Sequence, residues 1–294
     1  MGRILAGHRP SAVALPARRE PPVPEIPDLE AIRHYLTPRL ERLTVTSTAT
    51  PIPWLVRTGS DGMDSLVGHR FGEIHRLGKF LLFFVDDGRI LVVNPMLTGR
   101  FHWVEAGARK PGMLGVVIAF DDGHELRYSD QRRMGRWYLV DGPEAVTTIP
   151  QMEKLGPDVM TLDEDAFVAL MKKRRGQVKN SLTSQEVLAG IGNAYSDEIL
   201  WEAGIHPHRR GATLEEEDWR RLFRAVRSVL DESIGIVDET VAGEGLGKKE
   251  EWRQHLKVHR RAGTPCPRCG RDIKGQVSGG SETNYCVGCQ PLFE

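Results

Sequence analysis

The sequence predicts an α+β protein with more than one domain, because three kinds of pattern follow one another along the chain. Two Asp-Gly turns between apolar runs indicate antiparallel hairpins in the first half. After about residue 150, apolar residues recur at helical spacings of three and four. All four cysteines lie within the last 29 residues. The simplest architecture is therefore an N-terminal antiparallel β-sandwich with a packed helix, followed by a helical domain and a small cysteine-containing hairpin.

Length and charge limit the function only loosely. The chain has 294 residues, which leaves room for two domains and a small third unit. No apolar run approaches the roughly 18 residues of a membrane span, so no membrane partner is expected. The 40 basic and 40 acidic residues cancel, and net charge therefore gives no indication of a nucleic-acid partner. Basic residues do cluster at 172–175, 209–210 and 248–261, but a solvated face is the ordinary explanation of such runs.

The first predicted element is an amphipathic helix over residues 28–43. Its apolar positions recur at spacings of three and four: Leu29, Ile32, Leu36, Leu40 and Leu43. Pro38 removes a backbone donor within this stretch, so it should kink the helix or end its first part.

Antiparallel strands are predicted between residues 44 and about 141. The runs 80–85 and 90–93 flank one Asp-Gly turn, and the runs 115–120 and 125–128 flank the other. Beyond these strands the predicted helices cover residues 163–174, 182–203 and 214–234.

The cysteines form two Cys-x-x-Cys pairs, whose members are Cys266, Cys269, Cys286 and Cys289. Each pair puts two thiolates on one tight turn, and two such turns complete a tetrahedral sulfur site for one zinc ion. Four protein ligands leave no open coordination position, so the zinc is expected to be structural. Two disulfides in a secreted domain are the alternative, which the lack of an apolar signal core disfavours.

Two stretches carry the most specific patterns. Residues 23–30 read VPEIPDLE, with a proline and a glutamate directly before the predicted helix. Residues 187–198 read VLAGIGNAYSDE, in which two glycines and an asparagine interrupt a helical pattern with a tight turn. Such a turn exposes backbone N–H groups at a helix start, and these groups favour binding of a phosphate.

Together these stretches resemble the formamidopyrimidine-DNA glycosylase / endonuclease VIII family, whose mature chains open with Pro-Glu. The resemblance extends from Pro24 to Gln290. It implies a helix–two-turns–helix element around residues 187–198 and a zinc-finger hairpin at the end of the chain. It also implies a monomeric base-excision repair enzyme, a DNA glycosylase with AP lyase activity, that acts on damaged double-stranded DNA in the bacterial cytoplasm, associated with the nucleoid.

The same resemblance implies three residues that bind DNA phosphates. Lys179 and the Asn193 side chain would contact the backbone from the helical domain. Lys79, in the run Gly78-Lys79-Phe80, would hold a phosphate beside the lesion at the mouth of the β-domain and belong to the catalytic group. Without the resemblance, Lys79 would be an ordinary solvated lysine at the end of a hairpin.

Three further side chains would contact the DNA where the damaged nucleotide swings out of the helix. By resemblance, Leu97 and Met134 would fill the resulting gap, and Arg132 would face the orphaned base. The family often has methionine at the position of Leu97 and phenylalanine at that of Met134, so lesion and opposite-base preference stay open. Taken singly, Leu97 and Met134 would more often be core residues.

Ser281 is the most consequential departure from the family pattern, because the family carries an arginine at this position of the cysteine hairpin. That arginine grips the phosphates around the extruded nucleotide, whereas serine offers one neutral hydrogen bond. Arg261, Arg271 and Lys274 are candidate substitutes.

The position of Pro24 also departs from the family. There the free amine of the first proline is the nucleophile, whereas here 23 residues precede it and its nitrogen is an amide. We interpret residues 1–23 as an extension that results from a mis-assigned start; a disordered leader or a cleaved targeting peptide is the alternative.

The predicted domains are then residues 24–150, the catalytic β-sandwich; residues 151–250, the helix–two-turns–helix domain; and residues 256–294, the zinc finger.

For a chain that begins at Pro24, the resemblance implies covalent catalysis. The amine would attack the sugar C1′ of the damaged nucleotide, expel an oxidised or ring-opened base and permit strand cleavage by β-elimination. Glu25 would be the general acid at the sugar ring oxygen, and its ordinary alternative is a helix-start acid.

A different class of function is a non-enzymatic binder of DNA damage or abasic sites that has lost catalysis. A ribosome-associated zinc-ribbon protein is a third interpretation, which the Pro-Glu start disfavours.

Overall fold

The computed structural model describes residues 23–57, 62–247, 252–278 and 280–292. The predicted extension, residues 1–23, lies outside this part of the chain except for Val23. A β-sandwich with one packed helix, a group of helices and a C-terminal two-stranded hairpin follow one another in sequence. This is the α+β architecture that the sequence predicts.

Within the described residues, the sandwich consists of two antiparallel sheets of four strands each. Its strands are β1 (Val45–Ala49), β2 (Phe71–Leu77), β3 (Phe80–Val85), β4 (Ile90–Asn94), β5 (Gly99–Glu105), β6 (Leu114–Phe120), β7 (His124–Asp130) and β8 (Arg136–Val140). The strand orders are β1-β6-β7-β5 and β2-β3-β4-β8. Aromatic rings join the two sheets: the Trp137 ring centroid lies 6.0 Å from that of Phe101 and 5.2 Å from that of Tyr128.

Both predicted hairpins are present. β3 pairs antiparallel with β4, and β6 pairs antiparallel with β7. Each turn contains a glycine with a left-handed backbone, Gly88 at φ 91° and Gly123 at φ 84°. A side chain strains this conformation, which explains why the Asp-Gly signal located the turns correctly.

The helix α1 (Ile26–Leu40) packs its apolar face onto the sandwich. Pro27 lies in its first turn, where a missing backbone donor costs nothing, and Asp28 accepts the Glu25 N–H at 2.8 Å. The helix starts and ends earlier than the predicted 28–43, and it continues through Pro38 before it ends at Leu40. Pro38 therefore lies in the last turn, where loss of one hydrogen bond matters least.

The helical part contains α2 (Gly142–Val146), α3 (Glu164–Met171), α4 (Val178–Thr183), α5 (Asn193–Ala203) and α6 (Glu216–Glu244). The helical pattern over 182–203 is interrupted, as its glycines predict: a turn that includes Gly190, with φ 107°, separates α4 from α5. The helix α6 continues past its predicted end at residue 234, because no proline interrupts it before Gly245, with φ 76°.

The helix α6 has 29 residues and contributes to two hydrophobic cores. Trp219 and Leu222 in its first half pack among the other helices. Val237 and Val241 in its second half pack against α1 and the sandwich. In the described part of the chain, no helix is both long enough and apolar enough to cross a membrane.

A buried carboxylate links the sandwich to the helical part. Asp158, just before α3, accepts from both terminal nitrogens of Arg76 on β2, and from the Gly78 N–H at 2.8 Å. Arg76 also donates to Glu30 of α1 at 2.7 Å. Burial disfavours these charges, but their mutual pairing offsets that cost and raises the pKa of Arg76 while it lowers the pKa of Glu30.

We predict that Asp158→Asn lowers the free energy of unfolding by about 3 kcal/mol, because the buried guanidinium of Arg76 keeps its charge and loses a partner. Urea unfolding monitored by tryptophan fluorescence measures the change. The matched control is Asp165→Asn, whose carboxylate is 84% exposed and pairs with Arg220 at the surface. The control should stay within about 1 kcal/mol of the parent. Equal losses in both variants would contradict a linking role for Asp158.

Candidate active site and nucleic-acid interface

The Glu25 carboxylate is buried between α1 and α5. It accepts the backbone N–H groups of Gly192, Ala194 and Tyr195 at 2.7, 2.9 and 3.2 Å. These groups belong to the start of α5, where backbone donors have no partner within the helix and the dipole favours a negative charge. Glu25 is thus a helix-start acid, as the ordinary interpretation expects, but for a helix that lies 167 positions further along the chain.

Gly192 allows Glu25 and Lys79 to meet. A Cβ atom on Gly192 would lie 2.7 Å from Lys79 Nζ and less than 3.0 Å from the Glu25 carboxyl carbon. The Gly192 φ of −125° is open to any residue, so the requirement is for space. The ammonium and the carboxylate consequently both lie close to the same backbone atom, which brings two of the predicted catalytic residues together.

Lys79 lies at the turn between β2 and β3, after Gly78 with φ 57°. Burial lowers the pKa of Lys79; the Arg253 charge lowers it further, and the Glu25 and Asp28 charges oppose the shift. Lys79 is therefore partly buried, unlike the solvated lysine of the alternative interpretation, and it has a weakened hold on its proton.

Pro24 is buried directly beside this cluster. Its nitrogen is bonded to the carbonyl of Val23, whose oxygen accepts from Arg253 Nη2 at 2.7 Å. The same guanidinium donates to Asp28, and Arg253 Nη1 lies 3.8 Å from the Glu25 carboxylate. The structure thus brings Pro24, Glu25 and Lys79 to one place and adds an ion pair that the sequence did not reveal.

Asp130 fixes the two loops that carry the predicted gap-filling residues. Its carboxylate accepts the N–H groups of Arg132 and Met134 at 3.2 and 2.8 Å, together with the Thr98 hydroxyl. Because Thr98 follows Leu97, both loops are held by one side chain. Arg132 and Met134 are exposed and Leu97 is half-buried. The exposure of Met134, 40%, argues against its alternative as a core residue.

Lys179 and Asn193 line one polar pocket of about 490 Å³ between the helical part and the hairpin of β9 (Lys274–Ser278) and β10 (Ser281–Tyr285). Lys179 Nζ donates to Thr283 at 2.8 Å, and the Asn193 amide donates to the Glu282 carbonyl oxygen at 2.8 Å. Both side chains therefore contact β10 of the hairpin and also line the pocket.

Ser281 lines the same pocket. Among the described residues that line this pocket, Lys179 is the only lysine or arginine. Arg261, one of the candidate substitutes for the family arginine, donates to the Leu256 and Gln254 carbonyl oxygens at 2.6 and 2.8 Å. Its guanidinium is therefore engaged within its own segment, which leaves Arg271 and Lys274 as the candidates.

Asp197, near the end of the quoted motif, holds this region together, and it was not identified from the sequence. Its carboxylate accepts from Lys179 Nζ at 2.5 Å, and from the Asn284 N–H of β10 at 3.1 Å. It also hydrogen-bonds His259 Nδ1 at 2.8 Å. The sequence does contain an indication of this role, because an acid followed by apolar residues within a helix is expected to be buried. A buried charge requires hydrogen-bond or ionic partners.

Glu198, the next residue, anchors the segment that leads to the cysteines. Its carboxylate accepts the backbone N–H groups of Lys257, Val258 and His259 at 2.8, 2.9 and 2.7 Å. Burial raises the pKa of Glu198, and these three donors oppose the shift. Two adjacent acids of α5 thus hold β10 of the hairpin and the segment that precedes the cysteines.

The four cysteine sulfurs converge at the base of the hairpin. They lie within 4.8 Å of one another and form no disulfide, so the two-disulfide alternative is wrong. Cys266 and Cys289 Sγ are 3.8 Å apart, and Cys269 and Cys286 Sγ are 3.4 Å apart. The Trp201 indole N–H of α5 points at Cys266 Sγ from 3.4 Å. The cluster is arranged to hold one metal ion.

We predict that Gly192→Ala lowers the free energy of unfolding by about 3 kcal/mol, because the methyl group must displace the buried Glu25 carboxylate from its N–H donors. Differential scanning calorimetry measures the loss. Gly235→Ala is the matched control: it adds the same methyl group within α6, where a Cβ would meet nothing within 4 Å. That variant should equal or slightly exceed the parent in stability. A Gly192→Ala protein as stable as the control would rule out the close approach.

Comparison with known proteins places the chain in a family. Residues 23–137 match the model of the formamidopyrimidine-DNA glycosylase N-terminal domain, and residues 155–243 match that of the formamidopyrimidine-DNA glycosylase H2TH domain. The formamidopyrimidine-DNA glycosylase of Heliobacterium modesticaldum is 34% identical over 277 residues, which cover 91% of this chain and 100% of that protein. The corresponding protein of Moorella thermoacetica is 35% identical over 258 residues, 86% of this chain and 94% of that protein.

Solved structures agree with this assignment. The fold is similar to Lactococcus lactis Fpg (MutM) in complex with DNA that contains N7-benzyl-Fapy-dG, with a TM-score of 0.83 and 28% identity over 92% of this chain and 100% of that one. A complex between the same protein and abasic-site DNA gives a TM-score of 0.83 at 27% identity, with the same coverage of both chains. The chain therefore belongs to the formamidopyrimidine-DNA glycosylase / endonuclease VIII family.

Proposed function

We propose that this chain is a DNA glycosylase of base-excision repair, which removes oxidised or ring-opened bases from double-stranded DNA. The observation that carries the proposal is the meeting of Pro24, Glu25 and Lys79 at one buried point, where the start of α5 supplies three backbone N–H groups. The similar proteins are named formamidopyrimidine-DNA glycosylases, and the similar structures contain damaged DNA. Both findings favour an enzyme over a non-enzymatic DNA-binding protein.

The reacting form is proposed to begin at Pro24, because only a free amine has the lone pair that the reaction needs. A terminal amine has a pKa of roughly 8, so a useful fraction is neutral near pH 7. The Pro24 nitrogen forms a bond to the sugar C1′ as the bond from C1′ to the damaged base breaks. The amine gives up its proton to the Glu25 carboxylate, which passes it to the sugar ring oxygen. The ring then opens to leave an iminium ion, and the departing base takes a proton from water.

The AP lyase activity follows from the same intermediate. The iminium ion withdraws electrons from C2′, so a proton leaves C2′ and the 3′ phosphate departs by β-elimination. Lys79, whose pKa is lowered by burial, is held beside Glu25 and is proposed to position the adjacent phosphate. Hydrolysis of the iminium then frees Pro24.

The DNA is proposed to lie across the sandwich loops and the polar pocket. Lys179 and Asn193 would bind phosphates at the pocket, and Arg132, Leu97 and Met134 would occupy the space left by the extruded nucleotide. The exposed positions of Arg132 and Met134, on a loop that Asp130 holds fixed, support this role. The protein is proposed to act as a monomer.

We expect a chain that begins at Pro24 to form a covalent adduct with abasic-site DNA in the presence of borohydride, because its amine is free to form the iminium that borohydride reduces. The 294-residue chain should form none, since its Pro24 nitrogen is an amide. Denaturing gel electrophoresis of the trapped product measures the yield.

Variants of the shorter chain separate the two activities. Glu25→Gln should reduce base excision at least 100-fold and adduct formation less, because opening of an abasic site needs less help from an acid. Glu73→Gln is the matched control, since the Glu73 carboxylate is 80% exposed on β2, and it should behave as the parent. Equal adduct yields from the short chain and the untrimmed 294-residue chain would refute the role of a terminal Pro24.

The metal is proposed to be a single structural zinc ion held by the four cysteines. Zn–S bonds of roughly 2.3 Å in a tetrahedral site separate the sulfurs by about 3.8 Å. The Sγ distances of 3.4 and 3.8 Å are close to this value. The Trp201 N–H beside Cys266 Sγ would stabilise the thiolate form that a metal requires.

Removal of this zinc should unfold the hairpin and abolish tight DNA binding, because the hairpin has almost no hydrophobic core of its own. Elemental analysis should give one zinc per chain, and a strong chelator should remove it with loss of binding in a fluorescence anisotropy assay. Cys286→Ser should reproduce the chelated state, whereas Ser65→Ala, remote from the hairpin, should not. A metal-free protein with full DNA affinity would contradict the structural role.

A further inference from the structure

A buried ion pair borders Pro24 and has no part in the chemistry described above. The side chains of Arg253 and Asp28 are hydrogen-bonded to each other and are 8% and 0% exposed. Buried pairs of this kind often contribute no more stability than apolar residues of the same size. Stability alone therefore does not explain why this pair lies beside the reacting group.

Covalent geometry limits the distance between Arg253 and the Pro24 nitrogen. Arg253 Nη2 donates to the Val23 carbonyl oxygen at 2.7 Å. That oxygen and the Pro24 nitrogen are bonded to the same carbonyl carbon, so they lie roughly 2.3 Å apart. The guanidinium nitrogen is therefore within about 5 Å of the Pro24 nitrogen.

We propose that Arg253 is a positioning residue that keeps the Pro24 amine neutral, and hence nucleophilic, by holding a fixed positive charge beside it. The proposal rests on the proposed function, in which Pro24 is the first residue. A cation at this distance disfavours the ammonium form of an amine, and burial strengthens the effect. Arginine suits this role because its guanidinium stays protonated throughout the working pH range.

Asp28 acts on the Pro24 amine in the opposite direction to Arg253, because a nearby carboxylate favours the ammonium form. The titratable groups that face this point are Glu25, Asp28, Lys79, Tyr195, Arg253 and His255. Burial raises the pKa of Tyr195 and lowers the pKa of His255, so both are neutral near pH 7. Two carboxylates then face two cations. Loss of Arg253 would leave the carboxylates in excess, and that excess would stabilise the ammonium form of Pro24.

Lys79 supplies an internal comparison. Its amine lies in the same cluster, and its pKa is lowered by burial and then by the Arg253 charge. The guanidinium therefore acts on a neighbouring amine in the direction proposed for Pro24. The two amines differ in that Lys79 is fixed at the β2–β3 turn, whereas Pro24 is one residue from the helix that carries Asp28.

The test uses the chain from Pro24 to Glu294, because only this form has a free Pro24 amine. Proline labelled with ¹⁵N reports the amine directly, because every other proline nitrogen is an amide that does not titrate. Arg253→Met should raise the pKa of the Pro24 amine by about one unit or more. The rate of borohydride trapping at pH 7 should fall about tenfold and recover at higher pH.

Three further variants distinguish charge from packing. Arg253→Lys keeps the cation and should keep the parent pKa within about half a unit. Asp28→Asn should lower the amine pKa, because it removes a carboxylate that favours the ammonium form. The double variant Arg253→Met/Asp28→Asn removes both charges and should return the pKa towards the parent value. Arg224→Met, whose side chain is 54% exposed on α6, is the control and should change nothing.

An amine pKa that is equal in the parent and in Arg253→Met would overturn the proposal, even if the variant is less stable or reacts slowly. A double variant that shifts as far as Arg253→Met alone would also overturn it. The proposed function fails separately: a parent chain that forms no adduct at any pH would refute the enzyme, while the NMR titration would still decide the effect of Arg253 on the amine.

Discussion

The buried carboxylate of Glu25 is the contact on which the rest of the structure depends. The turn before α5 presents backbone N–H groups without helical partners, and the start of α1 presents a carboxylate without solvent. Each would be costly to bury alone, and each satisfies the other. Gly192 makes the contact possible, since any side chain there would occupy the space between Glu25 and Lys79. One contact therefore joins the two halves of the molecule and forms the centre of its candidate active site.

The sequence predicted the parts of the fold that are determined locally. The two hairpins were located because a glycine in a left-handed turn and the flanking apolar runs are neighbours in the chain. Helix limits were predicted less well. The periodicity over 182–203 continues across Gly190, so the apolar spacing alone indicates one helix, and only the glycines of the motif predict the turn between α4 and α5. The Asp158–Arg76 link was beyond prediction, because the two residues are 82 positions apart and neither lies in a distinctive pattern.

The candidate site shows the same division between local and distant information. Pro24, Glu25 and Lys79 could be proposed because each belongs to a short motif that resembles a known family. Arg253 could not, because it lies in the basic stretch 248–261, where charged runs ordinarily face solvent. Its partner Asp28 is 225 positions away, and only the fold brings the two together. A residue that changes the pKa of a reactive group far away in the chain belongs to no common motif. No spacing in the sequence therefore indicates it.

The separation of Glu25 from its donors also has a consequence for synthesis of the protein. The chain emerges from the ribosome N-terminal end first, so Glu25 is made 167 positions before Gly192, and the last strand of the sandwich, which ends at Val140, is also complete before Gly192 is added. Until α5 is made, Glu25 lacks the three backbone N–H groups that hold its carboxylate in the complete structure. Contacts of such long range close late in folding. The nascent sandwich therefore carries Pro24, Glu25 and Lys79 before the backbone donors of α5 exist, and the candidate active site is completed only when most of the chain has been translated.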